Sequence, residues 1–284
     1  PSRAAPYRRE RRERVHVFDA TTLPWLETPN PGLRLKPIHL DGRSLTREQV
    51  VAVAYGATIE LDREQLKAVQ RAADFLDEQV EKQEPIYGVS TGFGSNADKL
   101  LGAHRLRASE GDAEAGQDGL MDELQRNLVI THAVCVGEPF PAPVVRAMLV
   151  IRVNTLMQGH SGIRVATLES LAAMLNAGVV PVVPRLGSVG ASGDLAPLSH
   201  LAIVLLGGGE AFYDGERIPG AEALKRAGLQ PVKLSHKEGL ALNNGTAQML
   251  ATGVLAVAQL EDLLDTADLA AAMTIDAFAG RLRA

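Results

Sequence analysis

Between Asp62 and about Lys82 the apolar residues Leu66, Val69, Ala73, Leu76 and Val80 recur every three or four positions among polar neighbours. That spacing puts them on one stripe and predicts an amphipathic helix. Asp62-x-x-Gln65, just before the stripe, has the form of a capping box, and Thr46-x-x-Gln49 predicts a shorter helix opened the same way. Further helices are expected at about 120–134, 142–158 and 164–177, the last ended by Gly178. Residues 195–206 are apolar almost throughout and read as a buried helix, which Gly207-Gly208-Gly209 ends. Ala211 to Arg217 predicts a small hairpin around Asp214-Gly215. From Thr246 to Ala279 the chain is apolar on nearly every helical face. Such a helix needs cover on most sides, in a bundle or at a subunit interface.

The polar and breaking segments divide these elements. Residues 1–33 read as an extension interrupted by Pro24, Pro29 and Pro31. Residues 102–119 are polar and contain Gly111, Gly116 and Gly119, which predicts a flexible loop. Val179 to Pro184 reads as an extended connector. There is no internal repeat.

Of the 284 residues 46% are hydrophobic, enough for a sizeable core in one or two domains. Only 4% are aromatic, and the abundance of Ala, Leu and Val favours helix-on-helix packing, so a mainly α fold is expected. A net charge of −5 argues against a general nucleic-acid binder. Arg3, Arg8, Arg9, Arg11, Arg12 and Arg14 form a basic cluster interrupted by Glu10 and Glu13. A solvated tail or a short helix on a partner subunit is one reading of it, and phosphate or nucleic-acid contact the other. The single cysteine, Cys135, excludes an internal disulfide and fits a reducing cytoplasm. It reads as a small buried hydrophobe or as a reactive thiol. No apolar run has transmembrane length with suitable flanks, no signal peptide is visible, and no Cys/His spacing suggests a metal site.

The candidate chemistry lies in Gly187-Ser188-Val189-Gly190-Ala191-Ser192-Gly193-Asp194-Leu195-Ala196-Pro197-Leu198-Ser199-His200. An Ala-Ser-Gly tripeptide can cyclise. The nitrogen of Gly193 attacks the carbonyl carbon of Ala191 and water leaves; Ser192 then loses its hydroxyl as a second water. The product is a methylidene-imidazolone, an electrophile built from backbone that other enzymes must borrow from a cofactor. Gly193 permits the close approach, Asp194 can assist deprotonation or orient the turn, and Asp194 also suits the N-cap of the following helix. That helix would point its positive end at the ring. A plain flexible turn or a phosphate loop are the competing readings; the latter lacks both G-x-G-x-x-G and a following Lys-Ser/Thr.

This fourteen-residue string closely resembles the signature of the aromatic amino acid ammonia-lyases and aminomutases. Other segments resemble the family in the same order: Tyr87-Gly88-Val89-Ser90-Thr91-Gly92-Phe93-Gly94, Leu124 to His132, Asn154-Thr155-Leu156 with Gly159-His160-Ser161-Gly162 and Arg164, and Glu238 to Thr246. The resemblance spans roughly residues 34 to 279. It implies a helical-bundle, fumarase/aspartase-like ammonia-lyase architecture with a small amount of β around the catalytic loop. Residues 34–240 would form the domain bearing the methylidene-imidazolone (MIO), and 241–284 the start of the central bundle.

By resemblance Ala191, Ser192 and Gly193 form the prosthetic group, with no external cofactor, and Asn244 and Asp194 hold it. Tyr87 is the base that takes the β-proton, and His132, Thr131 and Gly94 contact the substrate. Each residue has a plainer reading beside it: a core tyrosine for Tyr87, an Asn-Gly turn for Asn244, a satisfied helical histidine for His132. Thr131-His132 is similar to the pair in family members acting on histidine, where an imidazole needs a hydrogen-bonding partner. Some tyrosine aminomutases carry Ser-His here. The leading expectation is therefore elimination of ammonia from L-histidine to give trans-urocanate. The alternatives are a phenylalanine or tyrosine ammonia-lyase, a 2,3-aminomutase, or a catalytically incomplete helical subunit. His160 and His200 read as structural. Complete members of the family are longer than this chain and homotetrameric, which implies a C-terminal half or second polypeptide completing the site.

Overall fold

The computed structural model describes residues 36–82, 86–88, 117–190 and 192–280. Among the described residues the architecture is mainly helical with three small sheets. Strands β1 (Ile38–Leu40) and β2 (Ile59–Leu61) pair in parallel, with Ile38 opposite Ile59. Helix α1 (Arg47–Ala54) crosses between them and opens with the expected capping box: Thr46 Oγ1 accepts from Gln49 N–H while the Gln49 side chain accepts from Thr46 N–H. Helix α2 (Arg63–Glu81) buries Val69, Ala73 and Leu76 from its stripe. Asp62 caps it through Gln65 N–H, yet the box is not reciprocal. The Gln65 amide instead donates to the Met157 carbonyl at 2.7 Å, a tertiary bond that outcompetes the local one.

Helix α3 (Gln117–His132) stops short of residue 134. The chain turns there into β3 (Val136–Pro139), which pairs antiparallel with β5 (Pro184–Leu186). Helix α4 (Ala142–Leu156) is the centre of the core and is buried along most of its length. Helix α5 (Val165–Asn176) packs on it and is followed by Gly178 at φ +75°. The expected connector at 179–184 is not plain: β4 (Val180–Pro181) pairs with β6 (Glu210–Tyr213), and β5 begins at Pro184. Strands β6 and β7 (Glu216–Pro219) form the expected hairpin, with Asp214 and Gly215 both at positive φ as a primed turn requires. Helix α6 (Leu195–Leu205) is buried, as its composition implies.

Two short helices, α7 (Gly220–Arg226) and α8 (Glu238–Asn243), were not foreseen. The second lies within the Glu238 to Thr246 segment that resembles the family. Helix α9 (Ala247–Ala277) confirms the long apolar helix, but it buries only Ala247, Ala251 and Leu255. Beyond them Leu260, Leu263, Leu264, Leu269, Met273, Ile275 and Phe278 are exposed. The main core joins Met148 and Leu149 of α4, Leu168 and Leu175 of α5, and Leu198 and Leu205 of α6. It thereby fixes the start of α6, which Ser192 and Gly193 precede. Among the described residues no helix is long and apolar enough to cross a membrane.

Candidate active site

Ser192 and Gly193 sit immediately before α6, at φ +61° and +108°. Two consecutive residues in the left-handed region make a sharply folded turn, and for serine that conformation is strained. Ala191 lies outside the described residues. Gly193 is required here by space as well as by φ. A Cβ at this position would run into the carbonyl oxygen of Gly245. That same carbonyl accepts Asp194 N–H at 2.6 Å. Gly193 and Asp194 are thus locked against Gly245, in the turn that follows α8 and begins at Asn244. Asn244 closes α8 in extended conformation, gives its N–H to the Leu240 carbonyl and is exposed.

Asp194 stands at the N-cap position of α6 but makes no side-chain cap to it, contrary to the sequence expectation. Its buried carboxylate is committed elsewhere. One oxygen accepts Ser188 Oγ–H and the other accepts Met249 N–H, both at 2.9 Å. The Ser188 hydroxyl in turn accepts Gly190 N–H at 3.3 Å, which draws the approach to the tripeptide into a compact loop.

Thr131 and His132 lie in the last turn of α3. Thr131 Oγ1 donates back to the Asn127 carbonyl at 2.7 Å, a common habit of helical threonine. His132 Nδ1 lies 2.8 Å from the Leu128 carbonyl. A carbonyl only accepts, so Nδ1 carries the proton and neutral His132 keeps Nε2 as an acceptor. Tyr87 is half exposed and followed by buried Gly88 at φ +69°. Gly94 lies outside the described residues. The structure therefore brings together Ser192, Gly193, Asp194 and the Asn244–Gly245 turn. It places Thr131 and His132 at the end of α3.

Two links tie α3 to this assembly. The Gln125 side chain accepts Gly239 N–H from α8 at 2.9 Å. Past the helix end, Cys135 N–H donates to His200 Nε2 on α6 at 3.1 Å. His200 must be unprotonated at Nε2 to accept, and burial pushes its pKa down. Cys135 is buried, and burial pushes its thiol up to about 11, so it behaves as a small apolar residue. Its sulfur fills the space a Cβ at Gly187 would need. Sequence reasoning overlooked Arg152, which is buried against Gly245. The available signal was one charge within the apolar run from Ala147 to Val153. A cavity of about 610 Å³ between α2 and the 157–160 turn, lined by Arg43, Gln65, Arg71 and His160, contains none of the tripeptide residues.

This chain belongs to the aromatic amino acid lyase family, whose sequence pattern matches residues 45–284. It is 50% identical over 237 residues to the histidine ammonia-lyase of Symbiobacterium thermophilum, covering 83% of this chain and 44% of that protein. Against the histidine ammonia-lyase of Stigmatella aurantiaca it is 48% identical over 244 residues, covering 86% and 45%. The crystal structure of histidine ammonia-lyase from Trypanosoma cruzi superposes with a TM-score of 0.76 at 36% identity, over 87% of this chain and 45% of that one. Tyrosine aminomutase from Streptomyces globisporus gives a TM-score of 0.75 at 36% identity, over 85% and 43%. The fold is therefore that of the ammonia-lyases and aminomutases, and the chain spans less than half the length of these relatives.

Proposed function

We propose that the protein carrying this chain eliminates ammonia from L-histidine to give trans-urocanate. The observation that carries this reading is the tripeptide turn at the start of α6, locked by Gly193 and Asp194 onto Gly245. The turn suits an intrachain ring: two successive positive-φ residues fold it back, and a side chain at 193 is sterically refused. Once formed from Ala191, Ser192 and Gly193, the MIO group supplies an electrophile for the substrate amine. The chain's own residues do the rest. Asn244, next to Gly245 in the chain, donates its amide to the ring oxygen in this reading, and the N-terminal dipole of α6 favours negative charge there. Tyr87 takes the β-proton; the C–H electrons form the new double bond as the C–N bond breaks and ammonia departs. His132 Nε2 accepts an N–H from the substrate imidazole, and Thr131 and Gly94 are the further substrate contacts of this reading.

Residues 34–240 form the domain bearing the tripeptide and 241–284 begin the central bundle in this reading. The exposed apolar length of α9 docks the remaining part of the fold, in a homotetramer. A single buried cysteine fits the cytoplasm. Intact-mass measurement tests the ring, since cyclisation and elimination remove two waters; an unmodified mass in active protein rejects it. Urocanate absorbance with L-histidine tests the substrate, and turnover of phenylalanine or tyrosine instead rejects that assignment. The likeness to a tyrosine aminomutase structure supports a second reading, separated by chiral analysis for a β-amino acid.

A further inference from the structure

Helix α4 carries one partly buried and one buried arginine, and they are used differently. Each nitrogen of Arg146 has a backbone partner: the group donates to the carbonyls of Val53, Ala57 and Leu175 at 2.8, 3.0 and 3.1 Å. Arg152 is 5% exposed and leaves its Nε without a partner. Burial pushes its pKa down to about 10, with no carboxylate among the described residues opposing the shift. A lone buried cation costs stability, and an apolar side chain could fill the space without that cost.

Its contacts show what the cation reaches. Nη2 donates to the carbonyl of Ala241, in the last turn of α8, where carbonyls lack intrahelical partners. Nη1 occupies the place a Cβ of Gly245 would take, so the Gly245 backbone lies directly on the guanidinium. The Gly245 carbonyl is the acceptor for Asp194 N–H and the group that meets Gly193. A single peptide therefore separates Arg152 from the tripeptide, and Asn244 is fixed between the two arginine contacts.

We propose that Arg152 is a positioning residue, which holds the Asn244–Gly245 turn against Ser192–Gly193 so that the ring closes and Asn244 faces it. The proposal rests on the tripeptide reading given above. A cation at the C-terminus of α8 is electrostatically favoured, and both contacts brace the same turn.

The test compares wild type, Arg152→Gln, Arg152→Lys and Arg146→Met in the complete protein by intact mass, thermal midpoint and kinetics on L-histidine. Wild type should be two waters lighter than its sequence. Arg152→Gln should leave most chains unmodified, and kcat should fall about 100-fold with KM little changed, the scale at which a displacement of about 1 Å acts. Arg152→Lys, which keeps a charged donor for Ala241, should recover most of the ring and most of kcat. Arg146→Met should lower the thermal midpoint with the ring intact. A fully formed ring and wild-type kcat in Arg152→Gln overturn the proposal, and so does a Lys variant no better than Gln. If Arg152→Gln fails to fold, Gly245→Ala carries the test, because it leaves the cation and displaces only the contact; ring and kcat unchanged there overturn it. An unmodified wild-type mass instead overturns the tripeptide reading itself, and this proposal with it.

Discussion

The carboxylate of Asp194 accepts the backbone N–H of Met249 at 2.9 Å, in the first turn of α9. Asp194 thus stands at the N-cap of one helix and satisfies an amide of another. Its second oxygen holds Ser188, and its own N–H holds Gly245. One side chain joins the approach to the tripeptide to the start of the long helix. An anion near a helix N-terminus is favoured by the dipole as well as by the hydrogen bond.

Asp194→Ala should therefore lower stability by about 2 kcal/mol, the upper range for losing a capping carboxylate. Asp194→Asn keeps the shape and one acceptor and should cost about 1 kcal/mol. Urea denaturation of the two variants beside wild type measures both, and equal midpoints in all three would show that the bridge contributes nothing.

Elements with local causes were legible in the sequence. The Thr46 capping box, the stripe of α2 and the Asp214-Gly215 hairpin each depend on residues within a few positions. What escaped reading depends on distant partners. Ile59 in β2 is held by Asn176, whose amide bonds both its N–H and its carbonyl, a pairing no three-residue strand announces. Helix α8 begins after Lys237 at φ +62° and has only six residues, too few for a periodic pattern. The site was legible where a single stretch contains it, as in 187–200. Asp194 defied expectation because its acceptors were claimed by residues 188 and 249, and Arg152 because its contacts lie nearly ninety positions away.

His132 should determine preference for an imidazole substrate through its Nε2. Replacing it by leucine leaves the substrate N–H unpaired, worth about 1–3 kcal/mol. His132→Leu should lower kcat/KM for L-histidine about 10- to 100-fold, with much less effect on phenylalanine, in parallel steady-state assays. An equal loss on both substrates would assign His132 to the scaffold.

The bond from Cys135 N–H to His200 predicts a pH effect. Burial depresses the folded pKa of His200 below its unfolded value. Between the two values the unfolded chain binds more protons, so this contribution to stability is complete above the unfolded pKa and is lost as pH falls toward the folded one. The thermal midpoint should therefore decline below about pH 6.5, the ordinary histidine value. His200→Gln offers a neutral acceptor and should flatten this part of the profile. An unchanged slope in that variant would trace the pH dependence to other groups.

The exposed length of α9 gives the last prediction. Leu263 and Leu264 are 63% and 52% exposed on a helix whose buried residues end at Leu255. If they dock the rest of the fold, each leucine contributes about 1.5–3 kcal/mol to assembly when fully covered. Leu263→Ser with Leu264→Ser should then shift the complete protein toward smaller species at micromolar concentration in sedimentation velocity. Helical content should persist, because the local packing of α9 lies in its first turns, at Ala247, Ala251 and Leu255. Activity should fall in step with the loss of the large species. An unaltered sedimentation profile would show that this stripe faces solvent in the assembled protein and that α9 is held by its N-terminal contacts alone.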